Sequence, residues 1–573
     1  MKNNYSGGIS MKGLSFILGL CLHIYLQAAE KPNIVIIMAD DISPREFPIY
    51  SDHALSKDPR TRTPMLDRMA LDGVAVSTCW ASPQCKPTRA ILHTGRYPMR
   101  TGVWENSIWG RFENGPFMIR VQTEKKKSID GFLRIPTAKM TPYITAQYHG
   151  KLGDVSKGTP LTIGHIARYA GYSTQWVSKW HTGGTPSHFG FDEGHIVNEP
   201  FYWGGSELMT WSKAGENPKE SKGDTKSFEP DNEVEVIADF MERKAREKKP
   251  FLVLYTPHLG HQDLDVTNVH GLGPENNTWV GTPKLTIGPD GYLEKVKKDT
   301  RRSDTTQITD FGRDVDFGED AGGRLNRGIG SHIEYLDFNI SRLIKKLEQL
   351  GVMENTVVMF LTDNGTKEYG KIQKERELGP DVPFYIYAPG RLDVRKTGKV
   401  LRQNAQPKTL AARGQLEMIM TVADVLPTVA ELSGFRVPSD HRIDGVSLWP
   451  YLSGVSSVPP HRAIYSAHAK NYFSEWLRSP FLIMDGNGDW WDTRDPNTGK
   501  TVAEANDAWH DKNEESFYKK LNNKRSGSGL AFNGQGLDGE LQKQVEDIKA
   551  LHQSLWGANA DGSRGGVYDL DIK

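Results

Sequence analysis

The chain has 573 residues, with 71 basic and 71 acidic side chains, so no net field draws it to nucleic acid or to an anionic membrane surface. Its 57 glycines, 32 prolines and 37% hydrophobic content exclude a disordered or fibrous chain and fit a loop-rich globular enzyme with room for more than one domain. Three cysteines are too few for a disulfide scaffold.

Residues 1–29 have the pattern of an export signal. Lys2 and Lys12 give a basic start, Leu14 to Leu26 is an apolar run too short to span a bilayer comfortably, and Ala28 and Ala29 supply small residues for cleavage. Met11 is an alternative start, and an uncleaved anchor is the alternative fate. Bulky Leu20 before Cys21 fits a lipidation site poorly. The expectation is an exported protein, periplasmic or extracellular, with no membrane span in the mature chain. That chain keeps Cys79 and Cys85, and a bridge between them would consume Cys85.

Four short apolar runs then end in polar residues of special type. Asn33 to Met38 leads to Asp40 and Asp41, and Ser173 to Val177 leads to Lys179 and His181. Phe251 to Tyr255 leads to Pro257 and His258, and Thr356 to Leu361 leads to Asp363 and Asn364. Runs this continuous predict strands buried on both faces, as in a parallel sheet. Cys85 opens a predicted helix with Pro87 in its first turn, and such an N-terminus favours an anion. Helices are also predicted from Asn232 to about Arg246 and over 332–350, where Ile333, Leu336, Ile340, Leu343, Leu347 and Leu350 recur at helical spacing. Strands alternating with helices mean an α/β sheet, and ligands of such sheets sit beyond the carboxyl ends of the strands. The four polar sets are therefore expected to converge.

Residues 262–325 read as a polar surface insertion. A boundary is expected near 455, before Pro459-Pro460. Residues 30–455 then form the main domain, and 456–573 a smaller α+β domain with a strand at Phe481 to Met484 and a helix near 539–556. Trp104, Trp109, Trp203 and Trp211 are expected in loops, either stacking on sugar rings or plugging the sheet ends.

Residue chemistry sharpens this picture. Asp40-Asp41 and Asp363-Asn364 are two pairs of hard oxygen donors suited to a divalent cation such as Ca²⁺. Arg89 lies one helical turn after Cys85, with its fixed charge able to return toward it. Lys179 and His181 share one face if their segment is extended, offering a point charge and a base near neutral pH. His261 follows His258 in the chain as a loop or substrate-facing residue, with no assigned role.

The segment Cys85-Lys86-Pro87-Thr88-Arg89, with Thr94-Gly95-Arg96-Tyr97-Pro98 after it, resembles the modification signature of the formylglycine-dependent sulfatases, in the alkaline phosphatase-like superfamily. The likeness extends in order through Pro32 to Ile36 with Asp40-Asp41, Gly171-Tyr172-Ser173-Thr174, Lys179-Trp180-His181, His258 and Thr362-Asp363-Asn364-Gly365. It covers about 31–455, and thinly the remainder through Trp490 to Pro496. Gln84 and Lys86 depart from the small residues commoner beside the cysteine. Ser178 replaces the usual glycine before the lysine, and Glu377 to Asp381 is a degraded form of a Glu-Gly-Gly-x-Arg stretch.

The resemblance implies an α/β sandwich with a mainly parallel central sheet and a small C-terminal α+β domain. It implies one Ca²⁺, sometimes Mg²⁺, held by Asp40, Asp41, Asp363 and Asn364 beside the group made from Cys85. That group is formylglycine (3-oxoalanine), installed by a maturation enzyme. One hydroxyl of its hydrate attacks sulfur, and the second then expels sulfate, so no water need attack. Arg89 would suit a diol oxyanion or a metal-bound carboxylate. Lys179 would meet the sulfate or diol, His181 would take the second hydroxyl's proton, and His258 would contact the sulfate and is a candidate to protonate the leaving oxygen. A further lysine precedes Val382-Pro383. Lys371 is preferred and Lys374 is the alternative. The implied activity is sulfate ester hydrolysis, on a sulfated glycan or another sulfate ester. The alternatives are a formylglycine phosphonate monoester hydrolase or phosphodiesterase, and an inactive glycan-binding relative.

Overall fold

The computed structural model describes residues 30–50, 61–101, 161–182, 186–199, 207–223, 228–261, 285–296, 329–366, 379–392, 415–439, 443–468, 474–486, 488–494, 519–521 and 532–556, with short pieces between them. Residues 1–29, where an export signal is expected, most of 262–325, Lys374, Trp104, Trp109 and Trp203 lie outside the described residues.

Ten strands among the described residues form the central sheet. In chain order they are β1 (Asn33–Ala39), β2 (Val74–Trp80), β3 (Ser173–Ser178), β4 (Glu193–Glu199), β5 (Glu207–Trp211), β6 (Lys219–Lys222), β7 (Phe251–Thr256), β8 (Thr356–Thr362), β9 (Asp381–Tyr387) and β10 (Gln415–Thr421). Their spatial order is β10-β2-β9-β8-β1-β7-β3-β4-β5-β6. All but β5 and β9 run the same way.

The central strands β1, β7 and β8 are buried at every residue, and apolar along most of their length, because helices cover both faces. Ile34, Ile36 and Met38 enter one core, and Val35, Ile37 and Ala39 enter the other. The first core is closed by α2 (Cys85–Thr94), α3 (Ile163–Tyr169) and α6 (Val425–Ser433), and the second by α1 (Pro64–Asp72), α4 (Glu229–Arg246) and α5 (Ile329–Gln349). Helix α4 starts earlier than its periodicity predicts, at Glu229, because Pro230 fits the first turn.

Trp211 corrects one expectation. It ends strand β5 rather than lying in a loop, and its indole packs over Gly194 and donates to the Phe191 carbonyl at 2.9 Å. A side chain at Gly194 would occupy the space of that ring.

Beyond residue 455, β11 (Ile464–His468), β12 (Ser474–Arg478), β13 (Leu482–Met484), β14 (Trp490–Asp492) and β15 (Lys519–Lys520) form an antiparallel sheet with helix α7 (Gly539–Trp556). Its Tyr465, Leu477 and Trp490 join the same core as Val74 and Val76 of β2. No helix among the described residues is long and apolar enough to cross a membrane.

Candidate active site

Strand register brings the two acidic pairs together. Ala39 and Thr362 are partners at the carboxyl ends of β1 and β8, and the Asp363 amide extends the ladder to the Ala39 carbonyl at 3.0 Å. Asp40-Asp41 and Asp363-Asn364 therefore leave the sheet side by side. Asp41 then adopts φ +52°, a conformation aspartate tolerates better than most residues. Its amide donates to Asp363 Oδ1 at 3.1 Å, and Asn364 Nδ2 donates to Asp41 Oδ1 at 2.7 Å. Ser43 and Thr366 clamp the two loops through reciprocal bonds of 3.0 and 2.9 Å.

Helix α2 brings Cys85 to this cluster. Gln84 is its extended N-cap, and Thr88 Oγ1 ties the first turn back to the Ser82 carbonyl at 2.9 Å. The approach loop is braced by the C-terminal sheet. Ser466 Oγ donates to the Ala81 carbonyl at 2.6 Å, and His468 Nε2 lies 3.0 Å from Gln84 Oε1. Cys85 Sγ stands 3.7 Å from Asp41 Oδ1. Burial pushes the Cys85 thiol up to about 12, only partly offset by Lys179 and Lys371, so the unmodified residue is a poor thiolate nucleophile.

One ligand atom from each of Asp40, Asp41, Cys85 and Asp363 lies within 4.8 Å of the others, all buried. Asp40 Oδ1 and Asn364 Oδ1 are buried without a hydrogen-bond partner. Buried oxygens left unpaired are costly, and hard oxygen donors are what Ca²⁺ or Mg²⁺ takes. The residues fit such an ion.

Three cations answer the carboxylates. Arg89 Nη2 donates to Asp363 Oδ2 at 2.8 Å and lies 3.8 Å from Asp40 Oδ2, while its Nη1 holds the Lys179 carbonyl at 3.2 Å. Lys179 pairs with Asp40, and Lys371 Nζ donates to Asp41 Oδ2 at 2.7 Å. Burial opposes ionisation of Asp40, but Lys179, His261, Arg89 and Lys371 together hold it well below the usual carboxylate range. Burial, then the Asp40 charge, pushes Asp363 up to about 7 against the pull of Arg89 and Lys179.

The ends of β3 and β7 supply the remaining groups. Ser178 pairs with Thr256, and the Lys179 amide continues to the Thr256 carbonyl at 3.0 Å. The segment after β3 is not extended as expected: Ser178 has φ +80° and His181 φ +43°. Lys179 and His181 thus reach the site through a turn rather than a shared strand face. Asp41, Ser178 and His181 are three of the four non-glycine residues of positive φ among those described. Each such residue costs about 1–3 kcal/mol and is retained where the surroundings over-determine it.

Burial pushes His181 well down, reinforced by Lys179 and Arg89, and its Nδ1 is buried without a hydrogen-bond partner. Burial, then Lys179, does the same to His258. Both imidazoles therefore favour the neutral form, which leaves His181 able to accept a proton.

Sequence reasoning left His261 and Ser178 without a role here and did not single out Glu233. His261 Nε2 lies 3.6 Å from Asp41 Oδ2, carried there by a turn in which its amide bonds the His258 carbonyl at 2.9 Å. The signal was Gly260, at φ +107°, where a Cβ would fall 2.0 Å from the Asp40 carbonyl oxygen. Ser178 Oγ lies 3.3 Å from His258 Nδ1 and also bonds Glu233, which projects from α4. Nothing local in the sequence marks Glu233 as part of a site.

The sulfatase family model matches residues 32–435. The steryl-sulfatase of Rattus norvegicus is 25% identical over 476 residues, a match covering 76% of this chain and 72% of that protein. The N-acetylgalactosamine-6-sulfatase of Mus musculus is 23% identical over 470 residues, covering 78% of this chain and 74% of that one. Among solved structures, the PsFucS1 sulfatase from Pseudoalteromonas sp. shares the fold, with a TM-score of 0.52 at 15% identity over 95% of this chain and 94% of that chain.

Proposed function

The chain belongs to the sulfatase family, is a sulfuric ester hydrolase with the alkaline-phosphatase-like fold, and on that premise we propose that it works through a formylglycine made from Cys85 beside one Ca²⁺. The observation that carries this reading is the meeting of Cys85, at the start of α2, with a buried cluster of Asp40, Asp41 and Asp363. A maturation enzyme would install the aldehyde before or during folding, since Cys85 is 1% exposed in the folded chain.

As its hydrate, formylglycine supplies a hydroxyl nucleophile and a second hydroxyl through which sulfate is expelled. A divalent ion held by Asp40, Asp41, Asp363 and Asn364 would lower the pKa of that nucleophile and neutralise sulfate oxygens.

The chain's own residues divide the remaining work. Arg89 holds the Asp363 carboxylate in place and favours its ionised form against the opposing effects of burial and Asp40. Lys179 and Lys371 bring fixed positive charge to the rim of the cluster, where a sulfate ester would sit. Neutral His181 accepts a proton, and His258 faces the leaving oxygen.

The substrate we propose is a sulfated carbohydrate met outside the cytoplasm, supported by the N-acetylgalactosamine-6-sulfatase likeness and by the export pattern of residues 1–29. Mass spectrometry of the peptide containing Cys85, from protein made in its natural host, tests the modification. The aldehyde is expected there, and Cys85→Ala is expected to abolish sulfate release while leaving the fold intact. Unmodified cysteine in an active enzyme would refute the reading.

A further inference from the structure

Behind His258 lies a buried hydrogen-bonded chain that no step above uses. Ser178 Oγ sits 3.3 Å from His258 Nδ1 and is hydrogen-bonded to Glu233 Oε1. The Tyr255 hydroxyl donates to the other carboxyl oxygen, Oε2, at 2.9 Å. Glu233 is 2% exposed, and its described partners are these two neutral hydroxyls.

The surrounding charges are already engaged elsewhere. Glu229 pairs with His195, and Asp231 is answered by Lys295, Tyr335 and Arg342. No lysine or arginine is paired with Glu233 among the described residues. A carboxylate buried with like charges nearby and no cation favours its neutral form. Burial, with Glu229 and Asp231, pushes Glu233 up to about 8 despite the two hydroxyls.

Ser178 makes the chain possible at a conformational cost. It holds φ +80°, where glycine is the ordinary choice. A glycine there would relieve the backbone and break the link, because only the hydroxyl spans from Glu233 to His258.

We propose that Glu233 and Ser178 form a proton relay behind His258, in which a neutral Glu233 carboxyl keeps the His258 proton on Nε2 and replaces it through Ser178 when His258 gives it to the leaving oxygen. In the resting arrangement Glu233 Oε1–H donates to Ser178 Oγ, and Ser178 Oγ–H donates to His258 Nδ1. During turnover the His258 Nε2–H bond breaks as an O–H bond forms on the departing alcohol. The Ser178 proton moves to Nδ1, and the Glu233 proton moves to Ser178 Oγ. One proton has left Glu233, His258 is neutral in its other tautomer, and the new carboxylate is held by the Ser178 and Tyr255 hydroxyls. Solvent returns the proton after the alcohol leaves, by the reverse shift. The advantage is that His258 never becomes an imidazolium, which burial and the charges of Lys179 and Arg89 oppose. Ser178 and Glu233 are positioning residues, since they act through His258. The kinetic part of the relay rests on the proposed placement of His258 at the leaving oxygen.

The full chain, labelled with ¹⁵N-histidine and assigned by loss of the His258 signals in H258Q, tests the hydrogen-bonded chain without any turnover. At neutral pH the wild type and E233Q are expected to show His258 protonated on Nε2, because a glutamine amide donates to Ser178 as a neutral carboxyl does. S178A and S178G are expected to lose that tautomer preference. Infrared difference spectra should show a protonated carboxyl band that E233Q removes. A wild-type His258 protonated on Nδ1, a preference unchanged in S178A, or no carboxyl band lost in E233Q would overturn the relay.

Its catalytic use is read from two probes. N-acetylgalactosamine 6-sulfate releases a sugar alkoxide that needs a proton, and 4-nitrophenyl sulfate releases a stable phenolate. E233Q should lower kcat on the sugar sulfate by about 10²-fold more than on the aryl sulfate, with KM little changed. Equal losses on the two probes would overturn the catalytic role. An enzyme silent toward both counts against the substrate reading, while the nitrogen and infrared signals still decide the relay.

Discussion

Arg89 Nη2 meets Asp363 Oδ2 at 2.8 Å with both side chains sealed from solvent. Cys85, one helical turn earlier, lies over the same cluster, so one helix delivers both the reacting residue and the cation that holds its neighbours. Arg89→Ala would leave Asp363 buried beside Asp40 without its guanidinium. Removing one partner of a buried pair costs about 3–5 kcal/mol. Urea denaturation of the metal-free protein should show a loss of that order. Arg89→Lys should fall between, because an ammonium cannot hold Asp363 and the Lys179 carbonyl in the same forked geometry. An Arg89→Ala protein as stable as the wild type would remove Arg89 from this role.

Chelation should destabilise the folded chain as well as silence it. Asp40 Oδ1 and Asn364 Oδ1 are buried without a hydrogen-bond partner, and the proposed cation would satisfy both. Calcium at a hundredfold excess over its dissociation constant should add about 2.7 kcal/mol of stability. Thermal unfolding with and without a chelator measures this. Asp41→Asn and Asp363→Asn should abolish the calcium-dependent part of the shift. A melting curve indifferent to both chelator and calcium would rule out a metal at this cluster.

His93 makes a pH prediction away from the site. It stacks on Trp176 at 4.8 Å between centroids, is fully buried, and neither ring nitrogen has a hydrogen-bond partner. Burial, then Arg89, pushes it down to about 3 from 6.5. The unfolded chain therefore takes up a proton below pH 6.5 that the folded chain refuses. This stability is complete above pH 6.5 and drains away as pH falls toward 3. His93→Phe keeps the aromatic contacts and removes the proton uptake. Relative to wild type it should gain about 1.4 kcal/mol for each pH unit below 6.5. Denaturant midpoints of both proteins at pH 7.5 and 5 would show a constant difference if the prediction is wrong.

Gly260 should not accept a side chain. At φ +107° its Cβ would sit 2.0 Å from the Asp40 carbonyl oxygen and 2.5 Å from Ile42 Cγ1. Gly260→Ala should cost more than about 1 kcal/mol and should weaken calcium binding, because relief of the clash must move Asp40. Loss of stability with unchanged calcium affinity would show that the turn and the carboxylates move independently.

Much of this site was legible from the chain alone, and the reason is local. Strands buried on both faces must be continuously apolar, so the runs before Asp40, Lys179, His258 and Asp363 announced themselves, and residues just past such strands in an α/β sheet face one ligand cleft. Cys85 was marked by its helix start, and its surroundings by family likeness. Lys371, chosen over Lys374 on likeness alone, stands 2.7 Å from Asp41.

What composition and pattern left open were the relations that depend on partners distant in the chain. Register between β1 and β8 decided that the two acidic pairs touch. Positive φ at Ser178 and His181 replaced the expected extended run, and Lys179 between them is held by the Thr256 carbonyl and by Arg89, both on other elements. Glu233 looks like any acidic residue of an amphipathic helix, and only the packing of α4 under β3 and β7 turned it inward to Ser178 and Tyr255. Hydropathy records whether a position is covered, which each residue type largely dictates. Which group covers it is set by long-range packing, and a linear pattern carries no such distances.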